Sequence, residues 1–266
     1  MFLRSAKAGQ TTKSINKLLS TPFVNLSPAS FSSLYGDTGL SCYYKFNEST
    51  GNIVNQSVSS QKMSNADLVT NGVTYDVEGV LGTAISFDGT DDFASASSST
   101  VSDWNFLSTD GAKFTWCGWM KNLSWGTYAR FSATGNGNAG DVISLFNIET
   151  DGRIGVGLGQ SGNDLFFVTS TSTMTNDTDY HFLIVSYDDS AGNLIITIDG
   201  GTPEVFGSKN LTNTSNSETF LYLAQNSASQ DWWNGNIDEL SIWKNRVLTT
   251  EEGLALYNSG SGLAIY

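Results

Sequence analysis

The chain is poor in several things, and each shortage closes off a class of function. Proline occurs three times and cysteine twice in 266 residues, which excludes a proline-rich linker and a disulfide-dense scaffold. Cys42 and Cys117 both lie in apolar, strand-like runs, where a free buried cysteine is the ordinary reading and one disulfide the alternative. Histidine occurs once, as His181, so there is no Cys/His cluster for zinc and little material for a nucleophilic triad. Lys and Arg number 13 against 26 Asp and Glu, a net charge of −13, whereas a nucleic-acid groove needs a basic face. No apolar run approaches the roughly 20 residues of a membrane helix. Met1–Gly9 lacks the continuous apolar core of a secretory signal. The expectation is a soluble protein that is not exported by an ordinary signal peptide and has neither nucleic acid nor membrane as partner.

What is present is apolar residues at 39%, aromatics at 12% and abundant turn formers, a composition that suits one large β-rich core. Residues 1–38 stand apart as a basic arm. Arg4, Lys7, Lys13 and Lys17 oppose Asp37 alone, a net of +3 that leaves −16 for the remainder. Within the arm, Ile15, Leu18 and Leu19 share one side at helical spacing. The arm reads either as a frayed terminus or as a tether that docks on a partner or a neighbouring subunit.

From Gly39 onward, strands alternate with turn clusters at the spacing of an all-β sandwich. Leu40–Phe46, Ala84–Phe87, Phe114–Lys121, Val142–Ile148, Arg153–Leu158, Tyr180–Tyr187, Leu194–Ile198 and Phe220–Ala224 are the expected strands. Phe114–Lys121 is almost continuously apolar, as for a strand covered on both faces. The one clear helix begins at the capping box Thr249-Thr250-Glu251-Glu252 and stops at Asn258-Ser259-Gly260; residues 259–266 form a tail. Trp232–Trp243 reads as a strand entered from a tight turn at Asn234-Gly235. It carries Asp238-Glu239, a pair costly to bury without a cation or backbone donors.

The ordered set Tyr44-Lys45-Phe46 with Gly51, Gly79 through Gly89 with Asp91-Asp92-Phe93, Trp119-Met120-Lys121, Tyr180-His181, Asp199-Gly200 and Trp233 through Glu239 with Trp243 resembles the laminin-G-like domain of the concanavalin A-like lectin/glucanase superfamily. The match covers 39–258. It implies an antiparallel two-sheet jelly roll with an extended N-terminal arm and one short C-terminal helix, usually a non-catalytic binding module. It also implies a structural Ca²⁺ whose oxygen ligands are available at Asp88, Gly89, Asp91, Asp92 and Asp238. Asp238 is then a tie to the Phe87-Asp88-Gly89 turn, through the ion or through backbone amides.

Glu149-Thr150-Asp151 imitates the paired carboxylates of glucanases, yet it sits at a hairpin turn and lacks the third carboxylate. With His181 read as structural, the chain is expected not to be an enzyme. Sugar binding needs an aromatic face beside amides and carboxylates; Trp125, Tyr128, Asn136, Asn138 and Asp141 offer these after Lys121, and Trp104 offers a second platform. Two roles compete. One is a virion structural or decoration protein of a bacteriophage, made in the host cytoplasm and docked by its arm on other virion proteins or its own subunits, with the jelly roll displayed at the virion surface. The other is an extracellular lectin or adhesion module acting on glycans.

Overall fold

The computed structural model describes residues 29–97, 104, 106–124, 128–135, 142–160, 164–174, 179–213, 220–226 and 228–266. Among the described residues, fifteen strands form two antiparallel sheets. They are β1 (Leu40–Tyr44), β2 (Val69–Asn71), β3 (Thr74–Glu78), β4 (Thr83–Asp88), β5 (Phe93–Ser97), β6 (Lys113–Asn122), β7 (Ala129–Ala133) and β8 (Val142–Ile148), followed by β9 (Arg153–Gln160), β10 (Phe166–Thr173), β11 (His181–Asp188), β12 (Asn193–Ile198), β13 (Glu204–Phe206), β14 (Phe220–Leu223) and β15 (Asn234–Lys244). Among the described residues, two α-helices, α1 (Phe31–Tyr35) and α2 (Thr250–Tyr257), flank the strands in sequence.

The first sheet runs β13-β12-β11-β6-β15-β4-β3, and the second β10-β9-β8-β7-β14-β5-β2. β15 organises the first sheet. Its whole length lies on β6, while Asn234–Ile237 pair with β4 and Leu240–Trp243 pair with β1 on the opposite edge. The changeover is a bulge between Asp238 and Ser241, with Glu239 at φ 51°. A bulge adds one residue to one strand and breaks the alternation of faces. Ile237, Leu240 and Ile242 therefore point into the sandwich core, and both carboxylates point outward. Gly118 lies opposite, where a Cβ would stand 3.2 Å from the Leu240 Cα.

β6 is covered on both faces, as its apolar run predicts. Phe114, Trp116 and Met120 enter the core between the sheets, where Trp116 meets Phe131 and Phe146 at 5.4 and 5.8 Å between ring centroids. Cys117 and Trp119 face the other way, into a second apolar cluster with Phe31, Tyr43, Phe182, Trp243, Leu256 and Ile265. Cys42 belongs to the core and Cys117 to this outer cluster, so both are free and lie on opposite faces of one sheet. Burial pushes each thiol up to about 12, as expected for inert structural cysteines.

The outer cluster includes residues from both flanking segments. Residues 29–38 and 259–266 cover the first sheet. The backbone N–H groups of Phe31 and Ser32 donate to Ala264 and Ile265, and the Tyr266 hydroxyl bonds Asp37. The capping box forms as expected, with Thr249 and Glu252 each bonding the other's backbone. Asn234-Gly235 is not a turn. It lies inside β15, and Gly235 is needed because a Cβ would fall 2.2 Å from the Trp233 ring. Among the described residues, no helix is long and apolar enough to cross a membrane.

If residues 259–266 are integral, Ile265→Ala removes a buried side chain from the outer cluster and should cost about 2–5 kcal/mol in urea denaturation. A loss within experimental error would mark the segment as a loose appendage.

Candidate functional site

Asp238 and Glu239 are neighbouring buried acids, both pushed above the ordinary carboxylate range. Asp238 is 0% exposed. One of its carboxylate oxygens accepts the Val80 and Leu81 N–H groups at 2.7 and 2.9 Å, and the other has no hydrogen-bond partner. Burial pushes Asp238 up to about 6, against the pull of those amides. Glu239 accepts the Tyr43 hydroxyl, and burial, partly offset by that bond and reinforced by Asp238, pushes it up to about 8. The tie is therefore to the Gly79–Gly82 turn through amides. It does not reach the Phe87-Asp88-Gly89 turn, which lies at the far end of β4.

The five expected calcium ligands are accordingly split. Among the described residues, Asp88, Asp91 and Asp92 form one group, with a carboxylate oxygen from each within 4.8 Å of the others. Asp92 accepts the Asp88 N–H at 3.0 Å, and Asp88 accepts that of Thr90 at 2.7 Å. Burial first, and then the charges of Asp88 and Asp91, raise Asp92. Gly89, at φ 78°, makes the turn. Asp238 does not join the group, because it faces the outer side of the sheet four positions along β15 from Asn234, the partner of Asp88.

The groups weighed for enzymatic roles each make local contacts. His181 Nδ1 lies 2.6 Å from Asp199, whose other oxygen accepts the Phe182 N–H. Glu149 and Asp151 flank the β8–β9 turn, where Gly152 N–H donates to the Glu149 carbonyl and Arg153 pairs with Asp151 at 2.7 Å.

Of the expected sugar-binding residues, Trp125, Asn136, Asn138 and Asp141 lie outside the described residues, as do Arg4, Lys7, Lys13, Ile15, Lys17, Leu18 and Leu19 of the arm. Trp104 offers no platform: it is 0% exposed and packs on Phe106 in the core. Tyr128 is 38% exposed, and it marks a strip on the outer face of the second sheet. The Arg130 guanidinium sits 5.1 Å from its ring centroid. Arg130 Nε donates to Asp231 at 2.9 Å, while its Nη1 is buried without a partner. Asn147, the cross-strand partner of Arg130, donates to Glu149 at 2.7 Å, and its Oδ1 is likewise buried without a partner. Next along the row is Gly155, where a Cβ would lie 2.2 Å from Asn147 Nδ2 and 2.6 Å from Glu149 Oε1. The row Asp231, Arg130, Asn147, Gly155 escapes a reading by motif. Its one local signal is a polar residue in each of two apolar runs, Ala129-Arg130-Phe131 and Phe146-Asn147-Ile148.

Residues 87–252 match the family described as the concanavalin A-like lectin/glucanases superfamily. No curated protein matches the chain. Similar solved structures include the binding domain of botulinum neurotoxin DC in complex with SialylT, with 14% identity, a TM-score of 0.61, and 83% of this chain and 51% of that chain covered. Another is a botulinum neurotoxin type C structure concerned with interaction with two ganglioside molecules, at 16% identity and TM-score 0.62, again covering 83% and 51%. A third is the binding domain of Paraclostridial Mosquitocidal Protein 1, at 16%, 0.61, 84% and 52%. The chain spans about half the length of these structures, and the likeness shows a common fold.

Raised acids make folding pH-dependent. As pH rises from 3.8 towards about 6 for Asp238, and from 4.5 towards about 8 for Glu239, the unfolded chain loses protons that the folded acids retain. Their contribution is therefore complete at the acidic end and is lost towards pH 8. The thermal midpoint should fall across this window, and Glu239→Gln should flatten the slope. An unchanged slope in Glu239→Gln would show that Glu239 ionises alike in both states.

Proposed function

The chain belongs to the concanavalin A-like lectin/glucanase superfamily, and from that membership we propose that it is a non-catalytic carbohydrate-binding module. The observation that carries this reading is the strip around Tyr128: a part-exposed ring beside Arg130, Asn147, Glu149 and Asp231 on the outer face of the second sheet. Sugar recognition combines an apolar aromatic face with a few placed donors and acceptors, and this strip holds both. Similar structures described by SialylT and ganglioside ligands support the same class of partner. Glycan binding takes precedence over virion decoration because it rests on the fold and this strip, without the arm.

In this reading Asp88, Asp91 and Asp92 would hold a structural Ca²⁺, since clustered carboxylates and a glycine turn supply the hard oxygen donors it takes. The ion would offset their mutual repulsion and order the β4–β5 turn, leaving recognition to the second sheet.

Incubated with a glycan array, the full chain should bind without hydrolysing its targets, and Tyr128→Ala should weaken binding about tenfold, the scale of one lost aromatic contact. The absence of any hit would overturn the module reading. Calcium should raise the thermal midpoint and a chelator should reverse the rise, by mass action on the native state. A midpoint indifferent to both removes the ion.

A further inference from the structure

We propose that Arg130 and Asn147 together form a subsite for two neighbouring hydroxyls of a neutral sugar. The proposal rests on the carbohydrate-binding reading and names the class of glycan. Arg130 is 8% and Asn147 1% exposed, and each keeps one polar atom without a hydrogen bond. Buried polar groups are nearly always paired, so an unpartnered one calls for a water, an ion or a ligand atom. Here the two orphans are complementary. Arg130 Nη1 can only donate and Asn147 Oδ1 can only accept, and the residues face each other directly across the β7–β8 ladder. The orientation of the Asn147 amide follows from its Nδ2 donating to Glu149.

A hydroxyl is both donor and acceptor, so a vicinal pair satisfies both orphans at once. One sugar oxygen accepts from Arg130 Nη1, and its neighbour donates to Asn147 Oδ1. Gly155 clears the space in which the Asn147 and Glu149 side chains lie. Tyr128 and Asp231, the part-exposed residues touching Arg130, are the groups a ligand lies against or displaces.

Charge selects against acidic sugars. The Arg130 cation is already paired with Asp231, and Glu149 adds a second carboxylate beside the orphan acceptor. A sialic acid or uronic acid carboxylate would face these two anions within a chain of net charge −13, and like charges in a partly desolvated site oppose binding. An apolar ligand would leave both orphans unpaired.

The experiment compares neutral and acidic glycans on one array with the full chain, then titrates a neutral methyl hexoside while following backbone amide resonances. Neutral glycans should bind, acidic glycans of the same core should not, and the amides of Asn147 and Gly155 should shift in the unmodified protein. Asn147→Ala should weaken the neutral hits about tenfold, the loss of one buried acceptor. Because Asn147 is buried, the amide titration decides if that variant fails to fold. Hits confined to sialylated or uronic glycans overturn the neutral-sugar proposal while leaving the module reading standing. Neutral hits that leave the Asn147 and Gly155 amides unmoved place the site elsewhere and overturn this subsite. Silence across the whole array overturns the module reading itself.

Discussion

Two carboxylates desolvated on one strand constrain the rest of this molecule. A buried acid without donors is expensive, and the bulge at Glu239 turns both Asp238 and Glu239 to the same side of β15. Three remote segments come to meet them. The Gly79–Gly82 turn brings two amides to Asp238, and Gly79 must lack a Cβ, which would stand 2.7 Å from that carboxylate. β1 brings the Tyr43 hydroxyl to Glu239, and the Tyr43 hydroxyl in turn accepts the Ile265 N–H from the C-terminal segment. The acids thus draw the turn, the first strand and the C-terminus onto one patch of the sheet.

That convergence divides the labour between the sheets. The first sheet has the sandwich core on one face and, on the other, an apolar cover supplied by α1, α2 and the C-terminal segment. Its outer face around β6 and β15 is thereby closed. The outer face of the second sheet carries exposed Phe167 and Val69 together with the polar row through Arg130 and Asn147. On the second sheet that row is itself largely buried, while Tyr128 at its end is part-exposed.

Legibility followed the range of the interaction. The α2 capping box and the two-faced burial of β6 depend on neighbours three residues apart or on the alternation within one strand, and both were readable. The β8–β9 hairpin, with its turn at Glu149-Thr150-Asp151-Gly152, was readable for the same reason. Asn234-Gly235 misleads because its local chemistry is that of a turn, while its tertiary role is to let the Trp233 ring cross the backbone. Trp104 misleads in the same way: a tryptophan among loop residues looks available, and here it is packed on Phe106. The polar row stayed hidden because its members come from β7, β8, β9 and the segment after β14, each contributing one unremarkable residue.

By itself, the sequence determined the sandwich class, the family, the strand periodicity, the C-terminal helix and the cost of the Asp238-Glu239 pair. All of these reside in residue order and in period-2 or period-3.6 patterns along one segment. Only the tertiary structure decided which groups meet those acids, that residues 29–38 and 259–266 belong to the body, and that Arg130 stands beside Asn147. Those facts depend on register between strands far apart in the chain, where a shift of one residue exchanges the two faces, and no local pattern encodes that choice.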